Sequence, residues 1–222
     1  MTQDGTCSTP QGGINSGGSS YPSDCELTQA LLEKARKRQE STAKGYVWKS
    51  CLPKAKGLKL FLLDVDGVLT DGTIIYTHEG NEIKSFHTRD GLGIRLLMES
   101  GVEVGLITAR ESEAVNRRVQ DLGIKYVFQK AKNKLKIFEN LLKELDLKPS
   151  EVGYMGDDWL DLPLLVRVGF AATVEDAVPE VLQVAHYVTK RKGGRGAVRE
   201  VCDLILEANE TQSGLLEKYL QV

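Results

Sequence analysis

The feature that most constrains the fold is an alternation of short apolar runs with longer polar periodic segments between Leu58 and Ala208. The first run, Leu58 to Leu63, is continuous and lacks a helical period, which is typical of a buried strand. Strands that alternate with helices form a parallel sheet covered by helices on both faces. The sequence therefore predicts an α/β fold with a Rossmann-like parallel sheet.

The other elements of this predicted sheet follow the same periodicity. Strands are predicted at 102–107, 124–128, 152–155, 169–173 and 187–188. Helices are predicted at 92–99, 112–122, 133–145, after 158 to about 166, 177–183 and 197–208. Gly101 and Gly123 stand where a glycine would end the helix before it.

A β-hairpin is predicted directly after the first strand. Residues 73–76 and 82–86 are strand-like and flank a turn at Gly80-Asn81. Because this segment emerges beside Asp64 and Asp66, which follow the first strand, we expect residues 73–86 to act as a flap or as an oligomer contact.

The predicted domain organisation has four parts. Residues 1–24 hold many Gly, Ser, Thr and Pro, so we expect a disordered leader. Residues 25–54 hold an amphipathic helix at 27–40 and a linker. The main domain is 55–208, and a C-terminal tail occupies 209–222.

Charge and cysteine usage exclude several functional classes. Lys and Arg number 29 against 31 Asp and Glu, so we expect neither a nucleic-acid nor a membrane partner. The four cysteines are scattered without a C-x-x-C pair, which argues against zinc and favours a reducing, cytoplasmic compartment. No run of 18 apolar residues is present in the sequence, so no membrane span is predicted.

Polar side chains follow several of the predicted strands. These are Asp64, Asp66, Thr108, Asp157, Asp158 and Asp161, with Lys134 at the start of the helix after the third strand. The carboxyl ends of parallel strands share one edge of a sheet, which is where ligands bind. A helix cap at Asp64 and a turn at Asp66 would explain those two acids alone, but not polar residues at several strand ends.

This set of residues suits phosphoryl transfer through an aspartyl phosphate. Asp64 is the expected nucleophile. Mg²⁺ would take oxygens from Asp64, Asp157 and the backbone carbonyl of Asp66. Lys134 and Thr108 would bind the phosphoryl oxygens. Asp66 would protonate the leaving alkoxide and then deprotonate the attacking water.

Four motifs occur in the order found in the haloacid dehalogenase superfamily of phosphatases: LFLLDVDGV, LITAR, the Lys134 of AKNK, and YMGDDWLDLP. Within it, DVDGVLTDG, SFHTRDGLGIRLL, GDDWLDLP and GGRGAVREVCDLIL resemble the 3-deoxy-D-manno-octulosonate 8-phosphate phosphatases over residues 55–208. The resemblance implies the same roles for the catalytic residues, with Asp157 binding Mg²⁺ and Asp158 and Asp161 supporting it.

The resemblance also implies an architecture and a pathway. Family members lack a large cap domain and form homotetramers in which the hairpin and a neighbour close the site. Their substrate belongs to lipopolysaccharide precursor biosynthesis. The tail around Gly214 is more apolar than the family pattern, and the first fifty residues have no family counterpart.

Three arginines are candidate substrate-binding residues. Arg89 would pair bidentately with a sugar-acid carboxylate across a subunit interface. Arg110 follows Thr108 and would face the same rim, and Arg195 in GGRG would suit an anionic substrate. Asp90 would cap the helix that follows it.

Other functions fit parts of the pattern. A phosphatase for ketodeoxynononate or acylneuraminate 9-phosphates would use the same chemistry on a longer substrate. A receiver-type signalling domain also carries clustered acids, a threonine and a lysine, but Asp66 argues against it because an internal acid/base promotes turnover. A non-catalytic sugar-binding relative would keep the fold without turnover.

Overall fold

The computed structural model describes residues 45–220, together with residues 29, 30 and 33. The predicted leader and most of the predicted helix at 27–40 lie outside the described residues. Residues 29, 30 and 33 are helical. They belong to one compact unit, Met1–Ser41, and the rest of the described chain belongs to a second, Thr42–Val222.

A parallel sheet of six strands forms the centre of the second unit. Its strands are β1 (Leu60–Leu63), β4 (Glu103–Ile107), β5 (Tyr126–Phe128), β6 (Val152–Met155), β7 (Phe170–Thr173) and β8 (Tyr187–Val188). Their order across the sheet is β5-β4-β1-β6-β7-β8. All four residues of β1 are buried, as its continuous apolar run predicts. The predicted α/β fold is confirmed.

The helices cover both faces of this sheet. They are α1 (Tyr46–Ala55), α2 (Thr88–Glu99), α3 (Glu113–Leu122), α4 (Lys134–Glu144), α5 (Leu162–Leu165), α6 (Pro179–Val184), α7 (Ala197–Ala208) and α8 (Gln212–Leu220). Two 3₁₀ turns, Pro149–Glu151 and Trp159–Asp161, precede β6 and α5. Helix α2 begins four residues before the prediction because His87 caps it, its side chain accepting the N–H of Arg89 at 3.3 Å.

Helices α1 and α8 were not predicted from the sequence. Helix α1 contains Pro53, and an internal proline argues against a helix. Packing overrides that signal, since Trp48 and Cys51 are buried in the core and the Trp48 ring meets the Tyr187 ring edge-on at 5.7 Å. No helix in the described part of the chain has the length and apolar content that a bilayer crossing requires.

The predicted hairpin is present but its paired strands are short. Strand β2 (Ile75–Tyr76) pairs antiparallel with β3 (Glu82–Ile83), apart from the main sheet. Gly80, at φ +85°, supplies the left-handed residue of the turn. The side chains of Ile75, Tyr76 and Ile83 are exposed, so the hairpin presents an apolar surface.

Asp90 caps a different helix from the one predicted. It is buried at the start of α2, but its carboxylate accepts the backbone N–H groups of Arg199 at 2.8 Å and Gly196 at 3.2 Å. These groups belong to the first turn of α7, so Asp90 joins α2 to the loop before α7. The expected cap position of α2 is taken by His87.

The glycine-rich loop before α7 packs against the turn that follows β1. The N–H of Gly194 donates to the carbonyl of Val68 at 2.9 Å. A Cβ atom on Gly193 would lie 1.7 Å from the carbonyl oxygen of Gly67. The loop therefore fixes the turn after β1 by direct backbone contact.

Candidate active site

The site begins where β1 ends. The backbone N–H of Asp64 still donates to Met155 of β6 at 2.9 Å, and the chain then turns. The N–H groups of Leu69 and Thr70 return to the carbonyl of Val65 at 2.9 and 3.0 Å. Asp64 is thus held by the sheet, while Asp66 stands on the turn beyond it.

Three carboxylates meet at this edge of the sheet. Asp64, Asp157 and Asp161 each offer an oxygen atom, and these atoms lie within 4.8 Å of one another. The strand register explains this meeting. Leu63 of β1 pairs with Met155 of β6, and each strand is followed within two residues by its acid, Asp64 or Asp157. Such a group of oxygen ligands can hold a divalent cation.

Asp161 has a different role from the other two acids. Its side chain is fully buried, and Oδ1 accepts from Lys134 Nζ at 2.7 Å and from the Tyr154 hydroxyl at 2.5 Å. Oδ2 accepts the backbone N–H groups of Asp157 at 2.9 Å and Asp158 at 3.2 Å. Since both oxygens of Asp161 already accept two hydrogen bonds, this acid holds the loop and the lysine, which leaves Asp64 and Asp157 as the candidate ligands.

Lys134 places a buried positive charge beside the proposed nucleophile. Its Nζ lies 2.9 Å from Asp64 Oδ1 and 2.7 Å from Asp161 Oδ1. Burial by itself would lower the pKa of Lys134, but the two carboxylates outweigh it and the pKa is raised. The ammonium group therefore stays charged and can bind a phosphoryl oxygen.

The electrostatics of the acids fit a bound cation. Burial, with the charge of Asp161 next, raises the pKa of Asp64 to about 7 even though Lys134 opposes it. Burial and the charges of Asp64 and Asp161 raise the pKa of Asp157 to about 8. Oδ1 of Asp157 is also buried without a hydrogen-bond partner among the described residues. A buried carboxylate oxygen of this kind is costly unless an ion binds it, so the residues present fit Mg²⁺.

Gly67 allows the Asp157 carboxylate to approach the turn after β1. An ideal Cβ atom on Gly67 would lie 2.0 Å from Oδ2 of Asp157, and the residue has φ +91°. Only glycine adopts that conformation without strain and leaves the carboxylate in place.

Thr108 lies directly beyond β4. Because Leu63 pairs with Leu106 in β4, Thr108 is level with the second residue after β1. Its backbone is fixed by Phe128 at 2.9 Å and Ala131 at 3.0 Å, and its hydroxyl accepts the N–H of Arg110 at 3.3 Å. The hydroxyl hydrogen can therefore donate to a bound ligand.

Asp66 contacts the hairpin. Lys84, which follows β3, contacts Asp66 Oδ1 with its Nζ and lies 2.7 Å from Glu82 Oε1. Arg110 donates to the other oxygen of Glu82 at 2.6 Å, and its Nε is 3.8 Å from Asp66 Oδ2. These four side chains link the hairpin to the acid/base candidate.

Sequence reasoning missed three of these residues: Lys84, Glu82 and Tyr154. The signal for the first two was their spacing, since side chains two apart on a strand share one face. The signal for Tyr154 was a phenol in an otherwise apolar strand, because a buried tyrosine needs a hydrogen-bond partner.

The three candidate arginines occupy different places. Arg110 lies at the site, as described above. Arg195 pairs with Asp71 at 3.1 Å on the turn after β1. Arg89 is exposed and lines a groove of 1340 Å³ beside β8, together with Lys190 and Arg191, and none of the candidate catalytic acids lines this groove.

Comparison with known proteins gives a consistent result. A family model described as haloacid dehalogenase-like hydrolase matches residues 126–201. The 3-deoxy-D-manno-octulosonate 8-phosphate phosphatase KdsC of Yersinia pestis is 44% identical over 173 residues, covering 78% of this chain and 92% of that protein. The chain belongs to the 3-deoxy-D-manno-octulosonate 8-phosphate phosphatase family.

Other members of the octulosonate phosphatase family match as well. KdsC of Escherichia coli K12 is 46% identical over 168 residues, covering 76% of this chain and 89% of that protein. The Moraxella catarrhalis phosphatase, solved in complex with magnesium ion, phosphate ion and KDO, has a TM-score of 0.75 at 41% identity, covering 77% of this chain and 98% of that one. The resemblance predicted from the motifs is confirmed.

Proposed function

We propose that this protein is a Mg²⁺-dependent phosphomonoesterase that hydrolyses 3-deoxy-D-manno-octulosonate 8-phosphate to the free sugar acid and phosphate. The observation that carries the proposal is the position of Asp64, which is buried at the end of β1 between the Lys134 ammonium at 2.9 Å and the acidic cluster with Asp157. The family relatives, which are phosphatases for this sugar phosphate, support the same substrate. The reaction belongs to the synthesis of lipopolysaccharide precursors.

The first chemical step transfers the phosphoryl group to Asp64. Its carboxylate oxygen forms a bond to phosphorus as the bond from phosphorus to the sugar oxygen breaks. Asp66, in its acid form, gives its proton to the departing oxygen, which leaves as the alcohol. Lys134 and the Thr108 hydroxyl bind the phosphoryl oxygens and stabilise their negative charge during the transfer. The products are an acyl phosphate on Asp64 and the Asp66 carboxylate.

The second step restores both acids. The Asp66 carboxylate takes a proton from a water molecule as the water oxygen bonds to phosphorus. The bond from phosphorus to the Asp64 oxygen breaks, and inorganic phosphate leaves. Asp64 is again a carboxylate and Asp66 again holds the proton, so one substrate and one water are consumed in each cycle.

The metal site uses oxygens of this chain. Asp64, Asp157 and the backbone carbonyl of Asp66 are the proposed ligands, and the magnesium ion in the Moraxella relative supports this choice of metal. When bound, Mg²⁺ neutralises charge between the nucleophile and the phosphate. Asp161 keeps Asp157 in place through its backbone N–H at 2.9 Å, and Asp158 lies beside it on the same loop.

The sugar-acid end of the substrate would meet the arginines. Arg110 Nε is buried without a hydrogen-bond partner in the described part of the chain, so it is suited to donate a hydrogen bond to an oxygen atom of the substrate. Arg195 lies on the loop against the catalytic turn. Arg89 lines a groove that none of Asp64, Asp66 and Asp157 lines, so its proposed contact is with the substrate of a neighbouring subunit.

We also propose a homotetramer in the cytoplasm. The exposed apolar side chains of the hairpin, Ile75, Tyr76 and Ile83, support an assembly that covers them. Buried free thiols at Cys51 and Cys202 fit a reducing compartment.

The test is phosphate release in the presence of Mg²⁺ from the octulosonate 8-phosphate, and from ketodeoxynononate and acylneuraminate 9-phosphates in parallel. We expect kcat/KM to favour the eight-carbon substrate by about 100-fold, which corresponds to about 2.7 kcal/mol. Asp64→Asn and a chelator-treated sample are the controls, and both should release no phosphate.

Two outcomes would change the proposal. Preference for a nine-carbon substrate would keep the chemistry and replace the substrate. Absence of phosphate release from every substrate, with Mg²⁺ bound, would leave a sugar-binding role.

A further inference from the structure

The hairpin contributes a buried cation to the proposed acid/base. The side chain of Lys84 is only 2% exposed although the residue follows an edge strand of a two-stranded sheet. Its Nζ contacts Asp66 Oδ1 and lies 2.7 Å from Glu82 Oε1. The Lys84 ammonium group therefore lies between two carboxylates of its own chain.

Glu82 anchors this lysine. One of its oxygens lies against Lys84 and the other accepts from Arg110 at 2.6 Å. Arg110 in turn belongs to the segment after β4, which the main sheet holds. The hairpin is therefore tied to the sheet by Glu82, and Lys84 is held between that tie and Asp66.

Asp66 itself has little else to orient it. It stands on the turn after β1, and its other oxygen is 3.8 Å from Arg110 Nε, beyond hydrogen-bond distance. The contact with Lys84 uses Oδ1 and leaves Oδ2 for proton transfer. A carboxylic acid acts on a leaving group only when its oxygen is within hydrogen-bond reach in the right direction.

We propose that Lys84 is a positioning residue that orients Asp66 for protonation of the leaving alkoxide. The inference rests on the proposed function, since it assigns Lys84 a part in the first step of that reaction. Lys84 acts through Asp66, and it donates no proton to the substrate. The hairpin thus completes the acid/base arrangement within its own chain.

The consequence is a dependence on the leaving group. An alkyl sugar phosphate needs its departing oxygen protonated, whereas 4-nitrophenolate leaves readily without a proton. A variant that misplaces Asp66 should therefore lose the first step with the sugar phosphate and keep most of it with 4-nitrophenyl phosphate.

The experiment measures release of the leaving alcohol in a single turnover with enzyme in excess, which reports the first step alone. The variants are Lys84→Met, Lys84→Arg, Asp66→Asn and the double variant Lys84→Met with Asp66→Asn. We expect Lys84→Met to slow release from the sugar phosphate by about 10- to 100-fold, within the range of general-acid effects, and release from 4-nitrophenyl phosphate by less than about threefold. Lys84→Arg, which keeps a cation, should recover part of the loss.

The double variant tests whether the two residues form one unit. If Lys84 acts only through Asp66, the double variant should be no slower than Asp66→Asn alone. Lys143→Met, an exposed lysine at the far end of α4, is the matched control and should match the unaltered protein on both substrates.

Three results would overturn the inference. One is an equal loss on both substrates. Another is a rise in the enzyme concentration that gives the half-maximal single-turnover rate, with the limiting rate unchanged, which would make Lys84 a binding group. The third is a double variant slower than Asp66→Asn by the full factor of Lys84→Met. If Lys84→Met fails to fold, Lys84→Arg and Glu82→Gln carry the comparison, because Glu82→Gln keeps the Lys84 charge and removes its anchor.

Failure of this inference is separable from failure of the proposed function. An unaltered protein that releases no phosphate from the octulosonate 8-phosphate but hydrolyses another sugar phosphate would refute the substrate. The Lys84 comparison would then be made on that other alkyl phosphate against 4-nitrophenyl phosphate.

Discussion

Oδ2 of Asp161 accepts the backbone N–H of Asp157 at 2.9 Å. This hydrogen bond fixes the loop that presents the Asp157 carboxylate to the site. The other oxygen of Asp161 holds Lys134 at 2.7 Å. One fully buried acid thus sets the positions of both the proposed metal ligand and the proposed phosphate-binding cation.

Asp161→Asn should therefore damage the site more than its small chemical change suggests. In either orientation of the asparagine amide, its NH₂ group would face hydrogen-bond donors and could not pair with them. On one side these are Lys134 and the Tyr154 hydroxyl, and on the other they are two backbone N–H groups. We expect kcat/KM to fall by at least about 100-fold, since a transition-state contact of about 3 kcal/mol is lost. The free energy of unfolding should fall by about 2–4 kcal/mol, as for a broken buried network.

Steady-state kinetics and urea unfolding measure these two effects. Asp121→Asn, the same change on an exposed position of α3, is the control and should be neutral in both. Retention of full activity by Asp161→Asn would contradict the role given to this acid.

Gly67→Ala should weaken metal binding more than it weakens the fold. Its Cβ atom would lie 2.0 Å from Asp157 Oδ2, so the carboxylate must move. Gly80→Ala is the matched control, because Gly80 has a similar φ of +85° but no atom within 4 Å of its Cβ position. Both variants should lose about 1 kcal/mol of unfolding free energy from backbone strain, and only Gly67→Ala should lose Mg²⁺ affinity by calorimetry. Equal Mg²⁺ affinities in the two variants would refute the argument.

Stability of the metal-free protein should fall as pH rises from about 4 to 8. The pKa values of Asp64 and Asp157 are raised to about 7 and about 8, so in this range the folded state binds more protons than the unfolded state. Each group then removes at most about 1.4 kcal/mol of unfolding free energy per pH unit.

Because Mg²⁺ replaces those protons, the rise in Tm that it causes should be larger at pH 8 than at pH 6. Thermal unfolding with chelator and with Mg²⁺ at both pH values measures this difference. Asp157→Asn should reduce it. A chelated protein that gains stability between pH 6 and pH 8 would show that the pKa values of Asp64 and Asp157 are not raised in the folded state.

Asp90→Ala should destabilise the fold and loosen the loop before α7. Its carboxylate caps α7 through the N–H groups of Arg199 and Gly196, and loss of a helix cap costs about 1–2 kcal/mol. Urea unfolding of Asp90→Ala beside Asp121→Ala gives the difference. Activity should fall as well, because the same loop packs at Gly67 on the turn that carries the proposed acid/base. An unfolding free energy equal to that of the control would remove Asp90 from this role.

Most of the central fold was predictable from local pattern. Strand β6, at 152–155, and helix α7, at 197–208, match the predicted bounds, because their apolar periodicity is uninterrupted. Helix α1 was missed because Pro53 weakens its local signal, and only the burial of Trp48 and Cys51 against the core explains it. The start of α2 was misplaced because a histidine cap is not a strong sequence signal.

The sequence by itself determined that acids follow the strands, since each of Asp64, Asp66 and Asp157 is joined covalently to the apolar run before it. It also determined the family, because the motifs lie in short contiguous segments. Tertiary structure alone decided that Lys84 meets Asp66, that Tyr154 meets Asp161, and that Asp90 caps a helix 106 residues away. Such pairings depend on how separate elements pack, and neither periodicity nor local propensity carries that information.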